Sequence, residues 1–380
     1  MHYTSKLPHV GTSIFTVMTS LANEHGAINL SQGFPNFETD PNLIDAVTAA
    51  MKNGHNQYAP MAGILELREA ISDKFNLLYS QSYHPESEIT ITAGATQAIF
   101  TMISAFINPG DEALLFKPAY DCYEPAVKLN GGKPVSIQLR APDYTIDWDQ
   151  VESKINEKTK LIIINTPHNP SGTLMSDADM LRLEGITANT DIVILSDEVY
   201  EHIIFDNHIH QSVCRFSGLK ERSFITASFG KTFHTTGWKV GYCCAPKALM
   251  NEFRKVHQFN VFSVHHPTQK GLADYLANPE PYLELSDFYQ QKRDFFLEAI
   301  KDSNFKFTPS KGSYFQVLDF SNITDEGDVE FANRMVKEHK LASIPMSVFN
   351  EDNIDDKVLR FCFAKTEDTL EKAAEILNRL

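Results

Sequence analysis

Between residues 88 and 245 short apolar runs alternate with longer helix-like stretches, and no other feature narrows the possible folds as far. "EITITAG" precedes "ATQAIFTMISAF", "EALLF" precedes "PAYDCYEPAVKL", and "KLIIINTP" precedes "MSDADMLRLEGITANT"; "DIVILSDE", "SFITASFG" and "WKVGYCCAP" follow. A strand that is apolar at nearly every position has no solvent face, so its sheet must be covered on both sides. Interleaved helices supply the covers, which predicts an α/β domain with a mostly parallel sheet. In such sheets ligands bind beyond the carboxyl ends of the strands. The residues that close each run are therefore the ones to inspect for chemistry.

After about residue 280 the texture changes. "PYLELSDFYQQKRDFFLEAIKDS" reads as one long amphipathic helix, "GSYFQVLDF" and "KVLRFCFAK" read as strands, and "TEDTLEKAAEILNRL" reads as a closing helix. In that last helix Leu370, Ala373, Ala374 and Leu377 share one face, and Thr366 is the expected N-cap. The 380 residues suit a large domain plus a smaller one. The expected division is a large domain over 39–280 and a small α+β domain built from 1–38 and 281–380, because "INLSQGFPNF" is loop-like and precedes the alternating region.

A net charge of −15 repels phosphate backbones, so nucleic acid is excluded as a general partner and a bound phosphate needs a local site. The longest apolar runs, such as "LIII" at 161–164, fall far short of a membrane span. "MHYTSKLPHVGTSIF" carries no apolar stretch of the signal-peptide kind, and cytoplasm is the expected location. Five cysteines without a CxxC spacing argue against a disulfide framework, and no metal site is expected. Cys243 and Cys244 read as two small buried apolar residues.

Each strand end offers a functional reading beside a plain one. Gly94, Ala95 and Thr96 form a strand-to-helix turn whose amides could hold an anion, or simply a tight connection. Asn169 stands between Pro167 and Pro170, which stiffen the turn; it could orient a ligand oxygen or close an Asx-turn. Asp197 follows a buried run and is costly to bury unpaired, so it needs either a protein cation or a cationic ring nitrogen. Lys231 sits among small residues after a strand, well placed for imine chemistry if its surroundings lower its pKa. Arg360 lies inside the apolar run "VLRFCFAK", where its planar fork needs a carboxylate, from the protein or from a substrate.

The order of these pieces is more telling than any one of them. Gly-Ala-Thr, "NTPHNPSG", "SDEVY", "SFGK" and a late arginine occur in the sequence of the class I/II aminotransferases, the pyridoxal-phosphate enzymes of fold type I, and the chain resembles that family over nearly its whole length. "NQYAPMAGILELREAI", "NLSQGFPNF", "SFGKTFHTTGWKVGY" and "RFCFAK" are most similar to its methionine aminotransferase and glutamine transaminase K/kynurenine aminotransferase branch.

The resemblance implies a role for each matching position. Lys231 would form the aldimine with pyridoxal 5′-phosphate and then act as base and acid. Asp197 would pair with the pyridine nitrogen, Asn169 and Tyr200 would bond the phenolic oxygen, and Tyr120 would stack on the ring. Ala95, Thr96, Ser228 and Lys239 would hold the phosphate, with Tyr58 reaching that of the partner subunit in a homodimer. Arg360, assisted by the Gly33 amide and Asn169, would clamp the substrate carboxylate. Where many relatives carry arginine this chain has Lys239, as its branch commonly does, and Thr96 replaces a tyrosine of the animal glutamine transaminases.

The implied activity is transfer of an amino group from a neutral amino acid to a 2-oxo acid. Methionine is favoured, with aromatic or glutamine-like donors beside it, because no second arginine motif for a dicarboxylate side chain is present. Phe15, Phe34 and the loop "VFSVHH" are candidate pocket walls. A C–S β-lyase on the same scaffold would share Lys231, Asp197 and Arg360, and kynurenine or glutamine specificity is the other alternative. A cofactor-binding regulator would need an added DNA-binding domain, for which the motifs leave no room.

Overall fold

A computed structural model describes residues 4–380. Twelve strands occur among them: β1 (Ile28–Asn29), β2 (Ile89–Thr92), β3 (Glu112–Lys117), β4 (Lys133–Gln138), β5 (Thr159–Asn165), β6 (Val193–Asp197), β7 (Ser223–Ser228), β8 (Gly241–Cys244), β9 (Phe315–Asp319), β10 (Leu341–Ala342), β11 (Ile344–Pro345) and β12 (Val358–Cys362). Seven of these form the main sheet, in the order β2-β8-β7-β6-β5-β3-β4. Only β8 runs against the others, through its pairings with β2 and β7. The fold is therefore mixed α/β with a mostly parallel sheet, as the alternation of apolar runs predicts.

Both sheet faces are buried, and alternate residues serve separate cores. Ile162 and Ile164 of β5 join the larger core, whereas Leu161 and Ile163 join a second one with Leu195 and Phe224. This period of two explains why the strands read as unbroken apolar runs. Cys243 and Cys244 are fully buried on opposite faces, one in each core, as small apolar residues.

The second unit is an antiparallel sheet, β11-β12-β9, beside a two-stranded parallel pair of β1 with β10. The amide of Cys362 donates to the Leu30 carbonyl at 2.8 Å. Residues 28–30 thus attach to the C-terminal strands rather than to the main sheet.

Three local expectations need correction. The strand read in "WKVGYCCAP" spans only Gly241–Cys244; Thr236–Trp238 is a 3-10 turn and Lys239 is left-handed (φ 55°), which bends the chain before the strand begins. The long helix after 280 is broken into Glu280–Leu283 and Leu285–Ala299. Thr366 stands at the N-cap of Glu367–Leu377, but its hydroxyl meets that of Thr369 at 2.9 Å and caps no amide.

Candidate active site

The carboxyl ends of β5, β6 and β7 open into a cleft of about 420 Å³, floored by Asn165, Asn169, Asp197, Tyr200, Ser228 and Lys231. Gly33, Ala95, Thr96, Tyr120, Lys239 and Arg360 also line it. Every site residue expected from the sequence except Tyr58 therefore meets in one cavity, although they are spread from residue 33 to residue 360.

Lys231 lies one turn beyond β7, in the short helix Phe229–Thr232. Its Nζ donates to Tyr314 Oη at 2.6 Å and to the Gly33 carbonyl at 3.1 Å, and it lies near the faces of Tyr200 and Tyr314. Both acceptors are neutral oxygens. Desolvation, reinforced by Arg360 and Lys239, outweighs the acids nearby and lowers its pKa to about 8. Roughly a tenth of the amine is then neutral at pH 7, against a few parts in ten thousand for an ordinary lysine.

Asp197 closes β6 and is buried. Tyr123 donates to its Oδ2 at 2.6 Å, and the Val199 amide reaches Oδ1 at 3.3 Å. Among the described residues no cation lies within ion-pair distance of it, so the protein partner that would have explained it is missing. Burial pushes its pKa up to about 6, against the opposing effect of Tyr123.

Arg360 is 1% exposed on β12. One terminal nitrogen donates to Asn169 Oδ1 at 2.8 Å, the other to the Ser31 carbonyl at 2.9 Å, and Nε has no partner among the described residues. The guanidinium lies 3.9 Å from the ring centre of Phe315. Burial brings its pKa down to about 10, so it stays charged at neutral pH. A buried guanidinium facing only neutral acceptors is an uncompensated charge, and among the described residues no carboxylate is within ion-pair distance. Gly33 is required beside it: a Cβ there would lie 2.7 Å from the Phe315 ring. The Gly33 carbonyl serves Lys231 and Tyr314, and its amide donates to nothing among the described residues.

Helix Ala95–Phe106 starts at the cleft without a side-chain cap, after Gly94 at φ 77°. The amides of Ala95 and Thr96 have no acceptor among the described residues, as is usual for the first turn of a helix. A Cβ on Gly94 would meet Lys239 Nζ at 3.3 Å, so the ammonium rests directly above this turn. Ser228 pairs with Gly241 across β7 and β8, which folds the connecting segment back and brings Ser228 and Lys239 to the same end of the cleft. Tyr120 stands over this end, its hydroxyl 3.3 Å from Thr96 Oγ1.

Several participants escaped the sequence reading. Asn165 bridges the site: its Nδ2 donates to the Asp197 carbonyl and its Oδ1 accepts the Asn169 amide, both at 2.8 Å. It faces Asp197 in the β5–β6 register, and its position at the end of "LIIIN" was the available signal. Tyr314, Phe315, Tyr123 and Ser31 carried no such mark, because their partners are remote in sequence. Of the expected pocket walls, Phe15 lines the cleft, whereas Phe34 and residues 261–266 do not. Phe34 points outward beneath Lys365, and residues 263–266 share a surface depression with Tyr58. Tyr58 is 82% exposed, edge-on to Phe262.

This donor set fits pyridoxal 5′-phosphate. Uncapped helix amides with Lys239 and Ser228 suit a phosphate, a buried carboxylate without a cation suits a protonated ring nitrogen, and an amine of lowered pKa suits an aldehyde.

Comparison with known proteins agrees. The family of class I and II aminotransferases matches residues 25–377. A methionine aminotransferase of Escherichia coli (strain K12) is 48% identical over 377 residues, covering 99% of this chain and 98% of its own. A crystal structure of a methionine aminotransferase from Escherichia coli superposes with a TM-score of 0.97 at 46% identity, over 100% of both chains. Kynurenine–oxoglutarate transaminase 3 of Mus musculus is 32% identical, covering 98% of this chain and 89% of its own.

Proposed function

The chain belongs to the class I and II aminotransferases, whose cofactor is pyridoxal 5′-phosphate, and we propose that it moves the amino group of a neutral amino acid, methionine foremost, to a 2-oxo acid. Aromatic and glutamine-like amino acids are the further donors on this reading. The carrying observation is Arg360, a buried cation with no carboxylate within ion-pair distance among the described residues, in the same cleft as an amine of lowered pKa. An α-carboxylate completes the arginine, which presents its α-amino group toward Lys231. For methionine the support is twofold. Relatives carry that activity by name. Among the described residues Arg360 is also the only arginine lining the cleft, beside Asp121, Phe15, Ile99 and Val199, a lining that favours neutral side chains over acidic ones.

Bound pyridoxal phosphate supplies an aldehyde that combines with amines and a ring that draws electrons from the substrate α-carbon. Lys231, once its amine is free, takes the α-proton and returns a proton to the other side of the transfer. Asp197, ionised, would hold the ring nitrogen protonated. Asn169 and Tyr200 would bond the cofactor's phenolic oxygen, and the Nδ2 of Asn169 has no acceptor among the described residues. Ala95, Thr96, Ser228 and Lys239 would hold the phosphate, and Tyr120 would cover the ring. Arg360, the Gly33 amide and Asn169 hold the carboxylate.

On the same reading the chain divides into a large domain (39–280) and a small one (1–38 with 281–380), with Arg360 and Gly33 on the small domain and Lys231 on the large one. The enzyme works as a homodimer in which Tyr58 reaches the cofactor phosphate of the partner subunit; the exposed pair Tyr58 and Phe262 supports this surface. Cytoplasm is the proposed location, in keeping with cysteines that are all free.

A panel of amino acids against several 2-oxo acids tests the function. Methionine should yield its 2-oxo acid with stoichiometric amination of the acceptor. Release of ammonia without an acceptor would replace transfer by the C–S lyase reading.

A further inference from the structure

Of the groups that keep Asp197 ionised, Tyr123 acts most strongly, ahead of the Val199 amide and Lys231. The carboxylate's only short hydrogen bond is the 2.6 Å donation from Tyr123, and the Val199 amide is a distant 3.3 Å. The titratable groups around it are Lys231 from the short helix after β7, Glu198 and Tyr200 from the segment just beyond β6, and Tyr120, Cys122 and Tyr123 from residues 120–123. Lys231 acts at a distance and Glu198 works against ionisation. Tyr123 is buried, and burial together with Asp197 keeps its own proton firmly in place, so it acts purely as a donor. Its ring also meets Tyr120 edge-on at 5.7 Å. One side chain thereby touches both the buried carboxylate and the aromatic residue above the cofactor end of the cleft.

We propose that Tyr123 is a positioning residue that keeps Asp197 ionised and aimed into the cleft, and so governs cofactor retention and the electronic state of the ring. This rests on the reading that Asp197 meets the ring nitrogen. Without the phenol, only the Val199 amide and Lys231 oppose burial, so Asp197 takes up a proton more readily and the charge pair with the ring is weakened. The phenol contributes through Asp197 and touches no reacting atom.

The experiment compares Tyr123→Phe, Asp197→Asn and the double variant with the wild-type holoenzyme. The readouts are the dissociation constant for pyridoxal phosphate and the pH midpoint of the visible absorption band. Tyr123→Phe should weaken cofactor binding by ~10-fold, the scale of a lost hydrogen bond to a charged group, and move the midpoint to higher pH. In the Asp197→Asn background the same substitution should change neither quantity. A Tyr123→Phe protein that binds and titrates as wild type overturns the proposal. So does an equal effect in both backgrounds, which would make the phenol a packing group. If Asp197→Asn alone leaves binding and spectrum unchanged, the assignment of Asp197 fails, and the role of Tyr123 falls with it.

Discussion

The turn 197–201 serves two regions whose charges are treated in opposite ways. Asp197 and Tyr200 face the cleft; Glu198 and Glu201 enter a buried network away from it. In that network Lys74 Nζ meets Glu201 Oε1 at 2.5 Å and Tyr242 Oη at 2.6 Å, and Tyr79 donates to Glu201 Oε2 at 3.0 Å. Glu198 accepts from Ser196 at 2.8 Å and the Val213 amide at 3.1 Å, and contacts His210 at 2.8 Å. Both glutamates are satisfied at both oxygens. In the cleft, Asp197, Lys231 and Arg360 are each buried or half-buried with neutral partners only. The pKa values follow: burial raises Asp197 to about 6, whereas for Glu201 the same burial is overcome by Lys74 and the value falls to about 2. Burial alone therefore does not mark a functional charge. A buried charge left without a counter-ion does, because a ligand can supply what the fold withholds.

Variants can break or sharpen this contrast. The largest effect is expected of Lys231→Ala, which should lower the transfer rate by ~10⁴-fold or more and abolish borohydride fixation of the cofactor. In the wild-type apoprotein the rate of cofactor uptake should rise with pH up to about 8, because the neutral amine is the reactive form and its pKa is lowered to that value. Attachment at another lysine would refute the assignment.

Lys74→Met tests the paired side. It leaves Glu201 buried without its cation, so urea denaturation should show a loss of ~3–5 kcal/mol. An unchanged stability would show that the pairing does not distinguish the two regions. Arg360→Met tests the unpaired side. KM should rise by ~10²-fold for every amino acid, the scale of two charge-assisted hydrogen bonds, with apoprotein stability unchanged or higher. An effect confined to some donors would point to a side-chain role.

Asp197→Asn should stabilise the apoprotein at neutral pH by up to ~3 kcal/mol. The sign follows from a folded-state pKa of about 6 against a model value of 3.8. Between those values the unfolded chain has released the proton and the folded one retains it, so wild-type stability falls as pH rises. The advantage of the variant should vanish by pH 4. The smallest effect is expected of Phe34→Leu, which lies outside the cleft and should change KM by less than ~2-fold.

Much of this was legible in the chain. Apolar runs interrupted by helical stretches specify a covered, mostly parallel sheet, since burial on both faces leaves no polar alternation. Polar residues that close such runs were visible for the same reason: Asp197 ends β6, and Asn169 and Lys231 follow β5 and β7 within a few residues. Arg360 was visible as a charge in the middle of the apolar run of β12. Local geometry was read less well. The segment before β8 looked extended because its residues favour strands, while Lys239 in fact takes a left-handed conformation that turns its ammonium over Gly94.

Residue types, periodicity and turn chemistry are local, and they determined which side chains would be buried at strand ends. Whether each buried charge found a partner was decided by the tertiary structure alone. Strand order and register set Asn165 against Asp197 and brought Arg360 to Asn169, 191 residues away in sequence. Packing put Tyr123 against Asp197 and Tyr314 against Lys231, and it placed residues 263–266 beside Tyr58 at a surface depression, away from the cleft. Hydrogen bonding and Coulomb forces act over a few ångströms of space, so the chemistry of each group is set by neighbours that chain order does not reveal.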